Sequence, residues 1–220
     1  MPVVGVVCEG PEDNVVIRAI LASVLGEYEL WPLHPETISL SGDFGKLGGG
    51  WKGVRGWCHD HAPLGEFANE EPLNRLAALV VHLDADVASD PEVRCKRRCP
   101  PASDTVDALR GYVLREWFRE EGWPPEVVLC IPSKTIDAWA LVALYPDKAS
   151  RVQNLECSGN PHSLFPKERM AEGKARLPKS VRAYSERASD IAANWPRVCA
   201  TCTQAARFDR DLRAVLMPGG

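Results

Sequence analysis

The chain has 220 residues and a formal net charge of −4, with 45% hydrophobic and 25% charged residues. This is the balance of a soluble globular protein, and the length is sufficient to bury a full hydrophobic core. No apolar run approaches the roughly 18 residues that span a bilayer, and no signal-peptide pattern is visible, so we expect a cytoplasmic protein without a membrane partner.

The small net charge hides an uneven distribution along the chain. Residues 1–90 contain 5 Lys and Arg against 14 Asp and Glu, whereas the remaining residues contain 21 against 16. An acidic first part and a basic second part fit a cation-binding centre next to a polyanion-binding face. Surface charge without any function would give the same pattern.

Apolar runs and helical periodicity alternate along the chain. Residues 3–8 predict a short buried strand, and residues 12–25 carry apolar side chains at helical spacing between Pro11 and Gly26. Residues 31–72 show neither period, and we expect short strands there or an insertion near 40–70. The later predicted elements are strands at 76–83 and 126–131, helices at 104–121 and 134–145, and weaker helices at 167–190 and 199–216.

This order of elements predicts an α/β fold. Strands and helices alternate as in parallel βαβ units, and the continuous apolar strands indicate a sheet that is buried on both faces. We therefore expect a Rossmann-like domain at residues 1–149, with a central, mostly parallel sheet flanked by helices. Residues 150–220 are predicted to form a mainly helical C-terminal extension packed on that domain.

Acidic residues follow two of the predicted strands. Glu9 comes directly after the first strand, and Asp84 and Asp86 follow the next clear one. Because ligands bind at the carboxyl ends of parallel strands, we expect these acids to lie at one edge of the sheet. Alternation along an extended tail would place Asp84 and Asp86 on the same side, as hard oxygen ligands of Mg²⁺ or Mn²⁺. Lys134, after the third strand, is placed to meet a reacting phosphate.

These acids carry a resemblance to a known family. Glu9-Gly10 after an apolar strand, Asp13 in the following helix and the LDAD stretch at a later strand end resemble the Toprim domain of topoisomerases, primases and OLD-family nucleases. The resemblance covers roughly residues 3–145. It implies a compact Rossmann-like sheet, with Glu9 as a metal ligand or acid/base and Asp84 and Asp86 as the Mg²⁺-binding pair.

A second stretch supports the same family. Residues 132–139 (PSKTIDAW) are similar to small Toprim-like proteins of bacterial defence loci, which implies a metal role for Asp137. Many Toprim domains continue the aspartate pair to a third aspartate, but Ala88 stands at that position and Asp90 is the next acid. Asp13 and Asp90 are therefore secondary candidates.

Two basic stretches are candidates for contacting nucleic acid. Residues 42–57 combine glycines, cations and tryptophans, and residues 94–99 read RCKRRC. Both could grip a phosphate backbone, although a structural loop and a solvated face are the alternatives. The candidate binding residues are Lys46, Lys52, Arg55, Arg97 and Arg98.

The eight cysteines are predicted to be reduced thiols, because no secretory signal is visible. The alternative is a structural Zn²⁺ site formed by two close pairs of cysteines. The four residues are Cys95, Cys99, Cys199 and Cys202. Only the fold could bring these pairs together.

These features predict a Mg²⁺-dependent (or Mn²⁺-dependent) Toprim-type nuclease that cleaves phosphodiester bonds in DNA or RNA, with antiviral defence as the context that the resemblance implies. Asp84 and Asp86 would hold the metal, Glu9 would bind it or transfer a proton, and Lys134 or Asp137 would assist. The alternative is a non-cleaving, nucleic-acid-binding or regulatory subunit of a partner ATPase. The chain contains no ATPase motif of its own.

Overall fold

Four parallel strands form the central sheet. The computed structural model describes residues 1–36, 45–63, 71, 73–170 and 173–217. The strands are β1 Val3–Val7, β2 Glu29–His34, β3 Ala78–His82 and β4 Val127–Cys130, in the spatial order β2-β1-β3-β4. All three pairings are parallel, which confirms the predicted Rossmann-like α/β class.

The two central strands are apolar on both faces. β1 lies between β2 and β3, with Val4 opposite Ala78 and Val7 opposite Val81. Every residue of β3 is buried. A sheet that is covered on both sides needs such continuous apolar strands, which explains why these runs lack polar alternation.

Helices cover the sheet and make up most of the C-terminal region. Among the described residues, the α-helices are α1 Pro11–Leu25, α2 Gly50–Asp60, α3 Ser103–Tyr112, α4 Asp137–Leu144, α5 Pro146–Ala149, α6 Val181–Ser185, α7 Ala188–Ala193, α8 Trp195–Thr201 and α9 Thr203–Leu216. A 3₁₀ helix spans Ala85–Ser89 and a π-helical turn spans Val113–Trp117. An antiparallel hairpin joins β5 Lys167–Met170 to β6 Gly173–Arg176.

Helix α1 begins and ends at the residues that the sequence predicts. Pro11 occupies its first turn, where a missing N–H costs no hydrogen bond. Gly26 follows it with a φ of 69° and donates its N–H to the Ala22 carbonyl. That positive φ favours glycine, so the chain turns there without strain. The helix packs its buried face, which includes Ile17 and Ile20, on the sheet at the side of the C-terminal helices.

The C-terminal region shares a hydrophobic core with the α/β part. One cluster joins one face of the sheet with α1, α4 and the C-terminal helices, and a second cluster joins the other face with α2 and α3. In the first cluster, Trp139 of α4 packs against Trp195 and Phe208, with ring centroids 5.6 Å and 6.1 Å away. All three rings are about 1% exposed. The predicted helical extension therefore contributes side chains to the main hydrophobic core.

Several predicted elements differ from the structure in their limits. The helix predicted at 104–121 is α-helical only over 103–112 and then widens into the π turn. The weak helix predicted at 167–190 begins instead with the β5–β6 hairpin. Residues 29–34 form the edge strand β2, which extends into the stretch of residues 31–72 where short strands were expected, and residues 50–60, within the predicted insertion, form α2. None of the described helices has the length and apolar character to cross a bilayer.

The prediction that all cysteines are reduced is wrong at one pair. Cys99 and Cys157 form a disulfide that links the loop before α3 to the segment after α5. The sequence could not indicate this pairing, because 58 residues separate the partners and only the fold places them side by side. The other six cysteines are free, and five of those are buried.

Candidate metal centre

Glu9 and Asp84 meet at the carboxyl edge of the sheet. Glu9 follows β1 and Asp84 follows the neighbouring strand β3, so the two residues leave the sheet side by side. The backbone N–H of Asp84 donates to Glu9 Oε1 at 2.7 Å. Asp84 Oδ1 in turn accepts the Ile136 N–H at 3.0 Å, from the loop that follows β4. Three adjacent strands therefore fix the orientation of these two carboxylates.

His82 completes the cluster and was missed as a ligand by the sequence reasoning. It is fully buried at the end of β3, with Nε2 3.3 Å from Asp84 Oδ1 and Nδ1 3.8 Å from Asp13 Oδ2. Neither ring nitrogen makes a well-aligned hydrogen bond within the described part of the chain. The available signal was a single polar residue in an otherwise apolar strand that is buried on both faces.

Glu9, His82 and Asp84 can hold a divalent cation. One ligand atom from each residue lies within 4.8 Å of the others. Their donor set of two carboxylate oxygens and one imidazole nitrogen suits Mn²⁺ and other first-row metals better than an all-oxygen set would. The ring nitrogens of this fully buried histidine contact Asp84 and Asp13 without a well-aligned hydrogen bond, which leaves room for a ligand role.

The electrostatics of the cluster favour bound protons when no cation is present. Burial, followed by the charge of Asp84, raises the pKa of Glu9 to about 8. Burial also raises the pKa of Asp84 to about 6. Burial alone would lower the pKa of His82, but the carboxylates of Asp13, Asp84 and Glu9 raise it to about 9. A cation would replace these protons and be attracted by the carboxylates that remain.

The expectation that Asp84 and Asp86 point the same way is wrong. The chain does not continue as an extended tail after β3 but enters the 3₁₀ helix at Ala85. With about three residues per turn, positions two apart point in different directions. Asp84 is buried, whereas Asp86 is exposed and its N–H donates to the Lys134 carbonyl at 3.3 Å. Asp86 therefore lies at the rim of the cluster, where part of its surface faces solvent while the neighbouring residues desolvate its carboxyl group and raise its pKa.

Asp137 has both carboxylate oxygens engaged outside the metal-binding group. Tyr184 donates its hydroxyl to Oδ1 at 2.6 Å, and Lys179 Nζ donates to Oδ2 at 3.2 Å. These contacts favour a role in holding Lys179 over the metal role expected for Asp137. Lys134 is half-buried in the loop after β4, where its backbone contacts Asp86.

The two secondary candidates have different positions. Asp13 is buried in the first turn of α1 and faces His82. Asp90 instead accepts a hydrogen bond from the Glu92 N–H at 2.8 Å, and its carbonyl accepts the Arg94 N–H. Asp13 thus belongs to the cluster, whereas Asp90 organises a turn.

The stretch predicted to contact nucleic acid is mostly helical where it is described. Residues 42–44 lie outside the described residues, and from residue 50 the stretch is helix α2. The Gly50 N–H donates to the Glu9 carbonyl at 2.7 Å, so these glycines bring the chain close to the cluster. Lys52 and Arg55 pair with Glu92, each at 2.7 Å, and lie over the Trp51 ring. Their charges are thus partly neutralised within the chain.

The remaining cationic candidates are solvent-facing. Lys46, Arg97 and Arg98 are exposed, and Arg97 Nη1 donates to the Lys96 carbonyl. They stay predictions as contacts for nucleic acid.

The prediction of a zinc site formed by four cysteines is wrong, because one of the four, Cys99, is in the disulfide.

Comparisons with protein-family models, with curated proteins and with solved structures returned no match to this chain. The assignment of a function therefore depends on the geometry of the residues described above.

Proposed function

We propose that this protein is a divalent-metal-dependent nuclease of the Toprim type, which hydrolyses phosphodiester bonds in DNA or RNA. The observation that carries the proposal is the Glu9–His82–Asp84 group at the carboxyl edge of a parallel sheet. This is the edge at which open α/β sheets bind their ligands. The role in antiviral defence is proposed from the Toprim resemblance alone.

Hydrolysis of a phosphodiester requires two proton movements. The oxygen of a water molecule bonds to phosphorus while the bond to one ester oxygen breaks, so the water must lose a proton and the leaving oxygen must gain one. A divalent cation would offset the charge of the phosphate and make the water more acidic. Glu9 is the residue suited to move a proton, because its Oε1 is held by the Asp84 N–H while the side chain stays partly accessible.

The surrounding residues keep this arrangement rigid. The Ile136 N–H holds Asp84, and His82 holds the inner side of the cluster between Asp84 and Asp13. Groups that are already fixed need not rearrange during the reaction. This preorganisation is the main source of electrostatic catalysis.

The proposal can be tested by cleavage of labelled DNA and RNA oligonucleotides with Mg²⁺, Mn²⁺ or EDTA. Cleavage should require the cation and should fall at least about 100-fold in Glu9→Gln and in Asp84→Asn, as expected for loss of an acid/base or ligand group. Asp60→Asn removes an exposed acid at the end of α2 and should leave the rate unchanged.

Cleavage in EDTA, or cleavage that persists in both cluster variants, would overturn the proposal. Metal-dependent binding of the oligonucleotide without cleavage would favour the alternative of a regulatory subunit that works with a partner ATPase.

A further inference from the structure

Asp137 and Tyr184 hold a lysine of the C-terminal region next to the loop that contacts Asp84. Asp137 is 3% exposed at the start of α4. Its two oxygens accept hydrogen bonds from the Tyr184 hydroxyl and from Lys179 Nζ, at 2.6 Å and 3.2 Å. Lys179 lies between the β5–β6 hairpin and α6.

A short chain of contacts connects Lys179 to the cluster. Ile136, the residue before Asp137, donates its N–H to Asp84 Oδ1. The Lys179 ammonium thus contacts Asp137, and the residue next to Asp137 contacts the proposed metal ligand Asp84. Lys134 approaches the same acids from the loop after β4, where its carbonyl accepts the Asp86 N–H at 3.3 Å.

The position of Lys179 leaves its ammonium group able to bind a further group. An ammonium group has three N–H donors, and among the described residues the hydrogen-bond partner of Lys179 is Asp137 alone. The side chain of Lys179 is 45% exposed, whereas that of Asp137 is 5% exposed. One N–H thus anchors the ammonium to a buried carboxylate, and the remaining donors are left on the solvent side. The buried Tyr184 hydroxyl fixes Asp137 and, through it, the lysine.

We infer that Lys179 binds a phosphate oxygen of the substrate beside the metal centre, with Asp137 and Tyr184 as the residues that position it. Lys134, whose carbonyl accepts the Asp86 N–H, would contact the same phosphate or its neighbour. The inference rests on the proposed function for its substrate class, a nucleic-acid phosphodiester. If so, the C-terminal region forms part of the substrate-binding site, and the role of Asp137 is to position Lys179.

The test compares cleavage kinetics of the wild type with Lys179→Gln, Lys179→Arg and Tyr184→Phe. Gln can still donate a hydrogen bond to Asp137 but lacks the charge, so kcat/KM should fall roughly 10- to 100-fold, and Arg should restore most of it. Tyr184→Phe should give a smaller loss. Lys148→Ala removes an exposed lysine of α5 and serves as the control, with no change expected.

A second measurement separates this inference from the proposed function. Binding of a fluorescent oligonucleotide in Ca²⁺ or EDTA is followed against salt concentration, so that no cleavage is required. Loss of one phosphate contact should reduce the slope of log K against log salt by about 0.7 to 0.9 in Lys179→Gln. If the wild type does not cleave, the proposed function fails, and this slope still decides on Lys179.

The inference is overturned if Lys179→Gln keeps the kinetics and the salt slope of the wild type. It is also overturned if Lys179→Gln changes only the melting temperature, because that result would leave Lys179 as a structural partner of Asp137.

Discussion

The substitution Glu9→Gln should remove a pH-dependent loss of stability from the metal-free protein. Burial and the nearby Asp84 charge raise the pKa of Glu9 from 4.5 to about 8. The folded state therefore holds this proton more tightly than the unfolded state does. Its contribution to stability is fully present below pH 4.5 and is lost as the pH rises through about 8. Gln resembles the protonated side chain at every pH, so the variant should not show this loss.

The size of the effect follows from the change in pKa. At 1.36 kcal/mol per unit, the full change corresponds to about 5 kcal/mol. That value is an upper limit, because Glu9 is partly accessible and shares its titration with Asp84 and His82. We expect a difference in the free energy of unfolding of about 2 kcal/mol. For a chain of this size, this equals about 4 to 8 °C in melting temperature.

Thermal unfolding in EDTA, followed by circular dichroism from pH 5 to pH 9, measures this directly. Wild type and Glu9→Gln should melt close together at pH 5, and the variant should melt higher by that margin at pH 9. Glu126→Gln, at an exposed position before β4, should follow the wild type. If the melting temperatures of the wild type and of Glu9→Gln change with pH in parallel, the reasoning is refuted.

Three further predictions concern the cation, the core and a helix end. At equal concentrations, Mn²⁺ should raise the melting temperature more than Mg²⁺, and His82→Asn should reduce that difference, because the imidazole nitrogen is the ligand that favours Mn²⁺. Trp139→Ala should lower the free energy of unfolding by about 3 to 5 kcal/mol in urea titrations, with a smaller loss for Trp139→Phe. The Glu156 carboxylate accepts hydrogen bonds from the backbone and hydroxyl of Thr203 and from the Gln204 N–H at the start of α9. Glu156→Ala should therefore lower the free energy of unfolding by about 1 to 3 kcal/mol, measured in the same urea titrations.

Local patterns in the sequence were sufficient to predict the sheet and part of the site. Continuous apolar runs identified three of the four parallel strands, and the residue directly after a buried strand must lie at the sheet edge. That rule placed Glu9 and Asp84 at one edge of the sheet before any contact was known, and the structure has them on neighbouring strands. Pro11 and Gly26 marked the ends of α1 because both act through their own backbone geometry.

Features that depend on distant contacts could not be predicted in the same way. His82 differs from the rest of its strand only in being polar, and its role depends on Asp13 and Asp84, which lie on its two sides. The direction of Asp86 depends on a 3₁₀ turn that closes against the loop after β4. Lys179 was one of many lysines and arginines in a basic region, and only its contact with Asp137 distinguishes it.

The shared core of α4 and the C-terminal helices also limits how the chain can be divided. A fragment ending after α5 would keep the four strands, Glu9 and Asp84, and would look complete from its motifs. It would nevertheless expose Trp139 to water where Trp195 and Phe208 now pack, over an apolar area of the kind that drives aggregation. We expect such a truncated protein to be insoluble, so that any recombinant design or gene fusion must carry both parts together.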